Sequence, residues 1–362
     1  MQPGPADRPA RRPRRPRLDL LVLVIAVLSL VPAIGSSSPI AFGVAGPSDS
    51  TTSDGSSDQV AAETASPEDS ATTSPIESPT TTVPGGPDTV TVSSIPALLA
   101  TLKDNAVDEI VVADGTYHVS PSNAVRSDSL WIGSEYAART RPVTVRAQTI
   151  GGVTFDGGGG TDYGGLSFED GVHDQVWDGF VFANMAAQES GIVEVGGYVP
   201  RRTPHHITLR HITIQRTCTG SATSETAPTV DHAFYISDAA GVGPHDLLFE
   251  DITVDGRGGL ASAFHFFHGD SANPNATRVT IRRLQVIGTQ QAIILWADKL
   301  RNIRIDTVTI SDVLRYAVRF ESVGSTGILL TNITSTGSGS QGFFSTQGDH
   351  PPGLTLRNDS LN

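Results

Sequence analysis

The chain has 362 residues, of which 37 are Gly and only one is Cys, Cys218. A single cysteine excludes an internal disulfide framework and a cysteine-based zinc site. The net charge of −13 argues against nucleic acid as a partner.

The N-terminus opens with a basic arm, Arg8, Arg11, Arg12, Arg14, Arg15 and Arg17, followed by an apolar run from Leu20 to Ile34. This reads as a secretory signal or an uncleaved signal-anchor over residues 1–35, with membrane contact confined to residues 18–34. Either way the remainder is expected outside the cytoplasm, secreted or held at the cell surface. Residues 36–87 are rich in Ser, Thr, Pro and acid and lack Lys and Arg, the composition of a disordered, extended linker. Removing these two segments leaves 19 basic and 29 acidic residues in 88–362, a charge of −10. A polyanionic ligand would therefore need a local basic patch or a bridging cation.

The folded part begins with Ser93-Ser94-Ile95-Pro96 and then ALLATLKDN, which predicts a short helix with a Ser cap and Pro in its first turn. A strand and turn follow in DEIVVADGTYHV, and a further coil in Val143–Gly159. From His232 to Thr346 five segments share one pattern: HAFYIS (His232–Ser237), SAFHFF (Ser262–Phe267), QAIILW (Gln291–Trp296), YAVRFE (Tyr316–Glu321) and QGFFST (Gln341–Thr346). Ala or Gly is second, and large apolar residues hold the third and fifth positions, which is strand alternation. A second pattern, two apolar pairs around a polar dipeptide, follows the first four: LLFEDITV (Leu247–Val254), VTIRRLQV (Val279–Val286), IRIDTVTI (Ile303–Ile310) and ILLTNITS (Ile328–Ser335). ITLRHITI (Ile207–Ile214) is an earlier copy, and GGLSFED, QVWDGFVF and SGIVEVGG extend both patterns towards the N-terminus. The first pattern recurs at steps of 30, 29, 25 and 25 residues. One such unit cannot bury its own apolar face, so the units must stack.

Period two excludes a helical solenoid, and no leucine-rich signature is present. Three short strands and three turns per unit resemble one coil of a right-handed parallel β-helix, and the chain resembles the pectin-lyase-like superfamily over roughly Asp88–Asn362. The resemblance implies an all-β domain of about nine coils with the N-terminal helix as its cap. The C-terminal LTLRNDSLN offers no closing helix, which leaves the last coil to its own loops or to a partner, and makes it the expected place of any oligomerisation. The resemblance identifies no subfamily. Gly243-Pro244-His245-Asp246 resembles the Asp-Pro-His-Asp of mannuronan epimerases, with Gly in place of the first Asp, but Val172-His173-Asp174 and Pro204-His205-His206 repeat it at the equivalent turn. Such recurrence reads as structure. His268-Gly269 matches polygalacturonases without their companion motifs, and the pectate lyase signatures are missing.

Aligning the second pattern stacks Asp178, Arg210, Glu250, Arg282 and Asp306, whose alternating signs read as a ladder that fixes coil register. The outward positions of the first pattern carry Tyr235, His265, Ile294, Arg319 and Phe344 in the fourth place and Ser237, Phe267, Trp296, Glu321 and Thr346 in the sixth. Ser167 and Glu169 extend these columns, and Asp238, His268, Asp270, Asp298 and Lys299 lie just beyond them. Exposed aromatics stack on sugar rings and Arg pairs with carboxylates, so the face suits a polysaccharide. We expect Trp296, Phe267, Glu321, His268, Asp238 and Lys299 to contact it.

β-Elimination on a uronic-acid glycan needs a cation for the carboxylate, a base for the α-proton and an acid for the leaving oxygen. Arg319 or Lys299 supplies the first, His265 the second and Tyr235 the third. Hydrolysis would instead pair Glu321 with Asp298, Asp270 or Asp238. A third reading is a surface module that binds glycan without cleaving it. No cofactor is expected, and no acidic cluster suited to a metal is visible in the sequence.

Overall fold

The computed structural model describes residues 88–119, 130–158, 165–185, 191–196, 202–215, 232–237, 243–257, 259–267, 276–337, 342–348 and 351–361. The basic arm, the apolar run at 18–34, the linker, Cys218, Asp238, His268 and Asp270 lie outside the described residues. Among the described residues no helix is long and apolar enough to cross a membrane.

The described strands form two parallel sheets. One contains Leu130–Ile132, Leu166–Phe168, Gly191–Val195, His232–Ser237, Ser262–Phe267, Gln291–Trp296, Tyr316–Phe320 and Phe343–Ser345, each paired in register with the next. The other carries the second pattern, through His205–Gln215, His245–Asp255, Thr277–Ile287, Arg301–Ser311 and Ile328–Thr336. This is the parallel β-helix implied by the repeats. The polar dipeptide of the second pattern is where each long strand bends. Its second residue, His211, Asp251, Arg283, Thr307 or Asn332, has φ between 52° and 59°. Earlier in the chain Gly179, at φ 89°, makes the same corner and ends the strand outright.

Alternation fills the interior as expected. Phe234, Phe264, Ile293 and Val318 from the third position, and Phe266, Leu295 and Phe320 from the fifth, are fully buried. Phe234 and Phe264 stack at 4.5 Å, and Phe249 from the other sheet meets both edge-on. Ala233, Ala263, Ala292 and Ala317 in the second position are also fully buried.

The predicted helix spans Ile95–Leu102, capped by Ser94, whose hydroxyl accepts from the Ala97 amide. It buries Ile95, Leu98, Leu99 and Leu102 over the first coil. Buried Arg139 donates to the carbonyls of Leu102, Asp104 and Val107, closing the helix end and the loop after it. At the opposite end Phe343, Leu354 and Leu356 are half-buried.

The charge column is in register from Arg146 through Asp178, Arg210, Glu250, Arg282 and Asp306. Contacts within it are local: Arg210 to Asp178 at 2.8 Å and Arg282 to Glu250 at 2.5 Å. Asp306 turns instead to Arg304 and Asn332, both at 3.0 Å. The ladder is therefore a series of pairs, not one continuous chain of alternating charge.

Candidate active site

Register places eight fourth-position side chains in one column: Trp131, Ser167, Glu194, Tyr235, His265, Ile294, Arg319 and Phe344. Ser237, Phe267 and Trp296 run beside it in the sixth. Successive rungs of a parallel sheet are ~4.8 Å apart.

The column varies in depth. Trp296 is 38% exposed, whereas His265, expected on the open face, is only 6% exposed. The rings of its neighbours account for this. His265 lies 5.2 Å from Tyr235 edge-on, 5.7 Å from Phe267 edge-on, 4.2 Å from His232 and 6.0 Å from Trp296 nearly parallel. Tyr235 in turn stacks on His232 at 5.5 Å and on Phe267 at 5.5 Å. Burial, and then the nearby Glu194 carboxylate, push the Tyr235 phenol far above its usual range, so it holds its proton.

Arg319 sits two rungs beyond His265, with buried Ile294 between them. Its guanidinium meets both Glu321 oxygens, at 2.9 and 3.0 Å, and lies 5.9 Å over the Trp296 ring. Glu321 is thus committed to Arg319, which weakens its case as half of a hydrolytic pair. Asp298 accepts from the Val323 amide at 3.0 Å, and the Lys299 amide donates to the Val323 carbonyl at 3.0 Å. With Lys299 at φ 57°, these two residues build the coil corner after Trp296, outside the column itself.

Three groups were not anticipated. Glu194 occupies the rung before Tyr235 and is 8% exposed. SGIVEVGG has Ile where Ala or Gly marks the second position, so its register was not legible. His232 and Ser262 hold first positions, which simple alternation turns inward. His232 nevertheless reaches the outer column, where its ring meets those of Tyr235 and His265. His232 Nε2 lies 2.8 Å from His265 Nδ1, and His232 Nδ1 lies 2.8 Å from Ser262 Oγ. Burial, and then the neighbouring His265, drive the His232 pKa well down, so its ring is neutral.

At the N-terminal end of the face, Glu169 accepts from Ser167 Oγ at 2.7 Å. Burial is the main reason its carboxyl is raised above the usual range, with Glu194 and Asp170 adding to the effect. Beyond Asp170 the recurrent turn histidines form a stack: His173, His205 and His245 lie 4.9 and 5.0 Å apart with planes within 3°. Each contributes one edge to a corner cavity of about 680 Å³ shared with Asp170 and Arg202. Among the described residues no group of three or more His, Cys, Asp or Glu side chains is placed to hold a metal ion.

No protein-family profile matches this chain, and no curated protein matches it. Solved structures do. A pectate lyase from Xanthomonas campestris matches with a TM-score of 0.37 and 11% identity, over 74% of this chain and 79% of that one. The PL6 family alginate lyase AlyGC matches with a TM-score of 0.33 and 11% identity, over 74% of this chain but 40% of that one. The mannuronan C-5 epimerase AlgE4 A-module of Azotobacter vinelandii matches with a TM-score of 0.29 and 11% identity, over 74% and 90%. This chain is similar to them as a parallel β-helix, the architecture its own strand registers establish. At these scores the likeness decides nothing about activity.

Proposed function

We propose that the domain binds an acidic polysaccharide along the Trp131–Phe344 column, outside the cytoplasm, and cleaves it by β-elimination. The observation that carries this reading is the placement of Tyr235. Its phenol is held protonated by burial and by Glu194, between a carboxylate on one rung and an imidazole on the next. It is this position that recommends the phenol as the acid: the raised pKa makes it a weaker donor, but the glycosidic oxygen becomes a strongly basic alkoxide as its bond breaks and takes the proton from a phenol so placed. The α-proton goes to a neighbour on the same column, His265 on one side or Glu194 on the other. Arg319, with Trp296 beneath it as a stacking surface, receives the uronate carboxylate in competition with Glu321. The extracytoplasmic site of action rests on the basic arm and apolar run of residues 8–34.

Purified protein offered a panel of acidic and neutral polysaccharides tests this. Growth of the unsaturated-uronate absorbance, lost in Tyr235→Phe, is the expected result. Reducing ends released without that absorbance would favour hydrolysis, for which the raised Glu169 carboxyl beside Glu194 is the specific motive. Binding without cleavage would leave a surface glycan-binding module.

A further inference from the structure

The recurrent turn histidines share one orientation. His173, His205 and His245 lie on successive rungs, with ring centroids 4.9 and 5.0 Å apart and planes within 3°. Each Nδ1 is taken by the residue that follows it: His173 by Asp174 Oδ2 at 2.7 Å, His205 by His206 Nδ1 at 2.7 Å and His245 by Asp246 Oδ2 at 2.8 Å. None of Asp174, His206 and Asp246 lines the corner cavity of about 680 Å³, whereas all three stacked rings do. The rings therefore turn their Nδ1 edges away from the cavity and their other edges into it. The three Nε2 atoms have no protein partner among the described residues and are not buried. The side chains of His173 and His245 are 24% and 27% exposed.

Two of these rings have a settled proton. A carboxylate only accepts, so the Nδ1–H of His173 and of His245 is the donor to Asp174 and Asp246. Arg278 also approaches His245 Nδ1, at 3.3 Å, but it donates at 2.6 and 2.7 Å to the two oxygens of Asp246, whose carboxyl it holds far below the usual range. Asp246 is thus ionised, and the shorter 2.8 Å contact is the hydrogen bond of His245. In the neutral form each ring then has its lone pair on Nε2, in the cavity. These acceptors stand on either side of His205, and exposed Arg202 lines the same cavity. Parallel rings a rung apart hold their nitrogens too far from one another to share an ion at ~2.1 Å from each. A row of acceptors beside a guanidinium fits hydroxyl groups instead. Asp170 also lines the cavity, but its Oδ1 is buried, so no contact is assigned to it.

We propose that this corner cavity is a second saccharide site, which holds a sugar chain along the coil axis by its hydroxyls. These donate to His173 Nε2 and His245 Nε2, and Arg202 donates to oxygens of the sugar. The site needs no carboxylate on its ligand, which separates it from Arg319 on the face. Asp170 follows Glu169, the sixth-position residue at the N-terminal end of the face, so the cavity adjoins that end. A chain held here lies beside the face, and its binding does not depend on the elimination reading above.

Hexamers of galacturonate, mannuronate and glucuronate, each beside its carboxyl-reduced counterpart, test this by calorimetric titration of the full chain at pH 8, where an ordinary imidazole is neutral. At least one carboxyl-reduced hexamer should bind. His173→Phe combined with His245→Phe should weaken it about 10-fold or more, because the rings still fill the stack but have lost their acceptors. His173→Gln combined with His245→Gln, whose side-chain oxygen takes the place of Nε2, should restore most of that affinity. Should the Phe variant fail to fold, long-range proton–nitrogen correlation on wild type labelled with nitrogen-15 histidine decides: both Nε2 signals, assigned by their loss in the single Gln variants, should be pyridine-type and should shift as the reduced hexamer is added. No binding of any reduced hexamer, equal affinity in a folded Phe variant, or a pyrrole-type Nε2 at either histidine overturns the proposal. Cleavage assays on the same samples separate the two claims. Binding that depends on His173 and His245, with no unsaturated-uronate absorbance from any oligouronate, removes the elimination reading and leaves this site. Cleavage of an oligouronate with no reduced hexamer bound removes this site alone.

Discussion

Trp296→Ala is the perturbation whose two effects, on the fold and on the ligand, are best separated by the structure. The ring is 38% exposed and has three described partners: His265 at 6.0 Å, Phe267 edge-on at 5.9 Å and Arg319 at 5.9 Å. Aromatic pairs contribute about 0.5–1.5 kcal/mol each, and an exposed cation–π contact about 0.5–1 kcal/mol. Because over a third of the ring already meets water, a total near the lower end, about 1.5–2.5 kcal/mol, is expected. At about 2–4 °C per kcal/mol for a domain of this size, the melting temperature should fall by about 3–10 °C. Stacking of one planar ring on one aromatic platform is worth about 1–3 kcal/mol. Loss of that platform should weaken glycan affinity by about 5- to 150-fold, since 1.4 kcal/mol is tenfold. Thermal melts followed by calorimetric titration with an acidic oligosaccharide measure both. A folded variant with unchanged affinity would refute the assignment of this face. A variant that does not fold would show that Trp296 belongs to the core, and the columns would have to be reassigned.

Other expectations follow from the same geometry. Tyr235→Phe keeps the ring contacts with His232, His265 and Phe267 but removes the proton donor, so elimination should fall by about 10²–10⁴-fold with little change in melting temperature. Comparable turnover in the variant would exclude Tyr235 as the acid. Arg282→Glu breaks the pair with Glu250 and sets a third carboxylate between Glu250 and Asp306, at a cost of about 1–2 kcal/mol. Activity per folded molecule should be unchanged, and equal stability would remove the register role of the column. The His205 pKa lies below its ordinary 6.5, first through burial and then through the adjoining His173, His245 and His206. The unfolded chain therefore binds the proton first, so the stability this group contributes is complete above about pH 6.5 and is lost as pH falls through that value. Melting temperature should drop between pH 7 and pH 5, and His205→Gln should flatten the slope. A slope unchanged in His205→Gln would place the effect elsewhere.

The sequence by itself determined the architecture, because the repeat makes it a matter of arithmetic. A 25- to 30-residue step with period-two alternation leaves stacking as the way to bury Phe234, Phe264, Ile293 and Val318. The same alternation turned Trp296 outward at the sixth position and put Tyr235, His265 and Arg319 in one column. It could not reveal that His232, in a first position, turns to the outer column beside His265 with Ser262 bonded to its other nitrogen. Nor could it give depth. Whether His265 meets water depends on which rings from neighbouring coils cover it, and those rings lie about 30 residues away in the chain. Side-chain pairing was likewise decided in three dimensions. The charge column is legible as a list of alternating signs, yet Asp306 reaches Arg304 and Asn332, because a side chain chooses among all donors in reach and not only the one directly below. Periodicity fixes which way a residue faces. Burial, proton placement and partner choice are properties of the packed coils, since each depends on atoms that only stacking brings within a few ångströms.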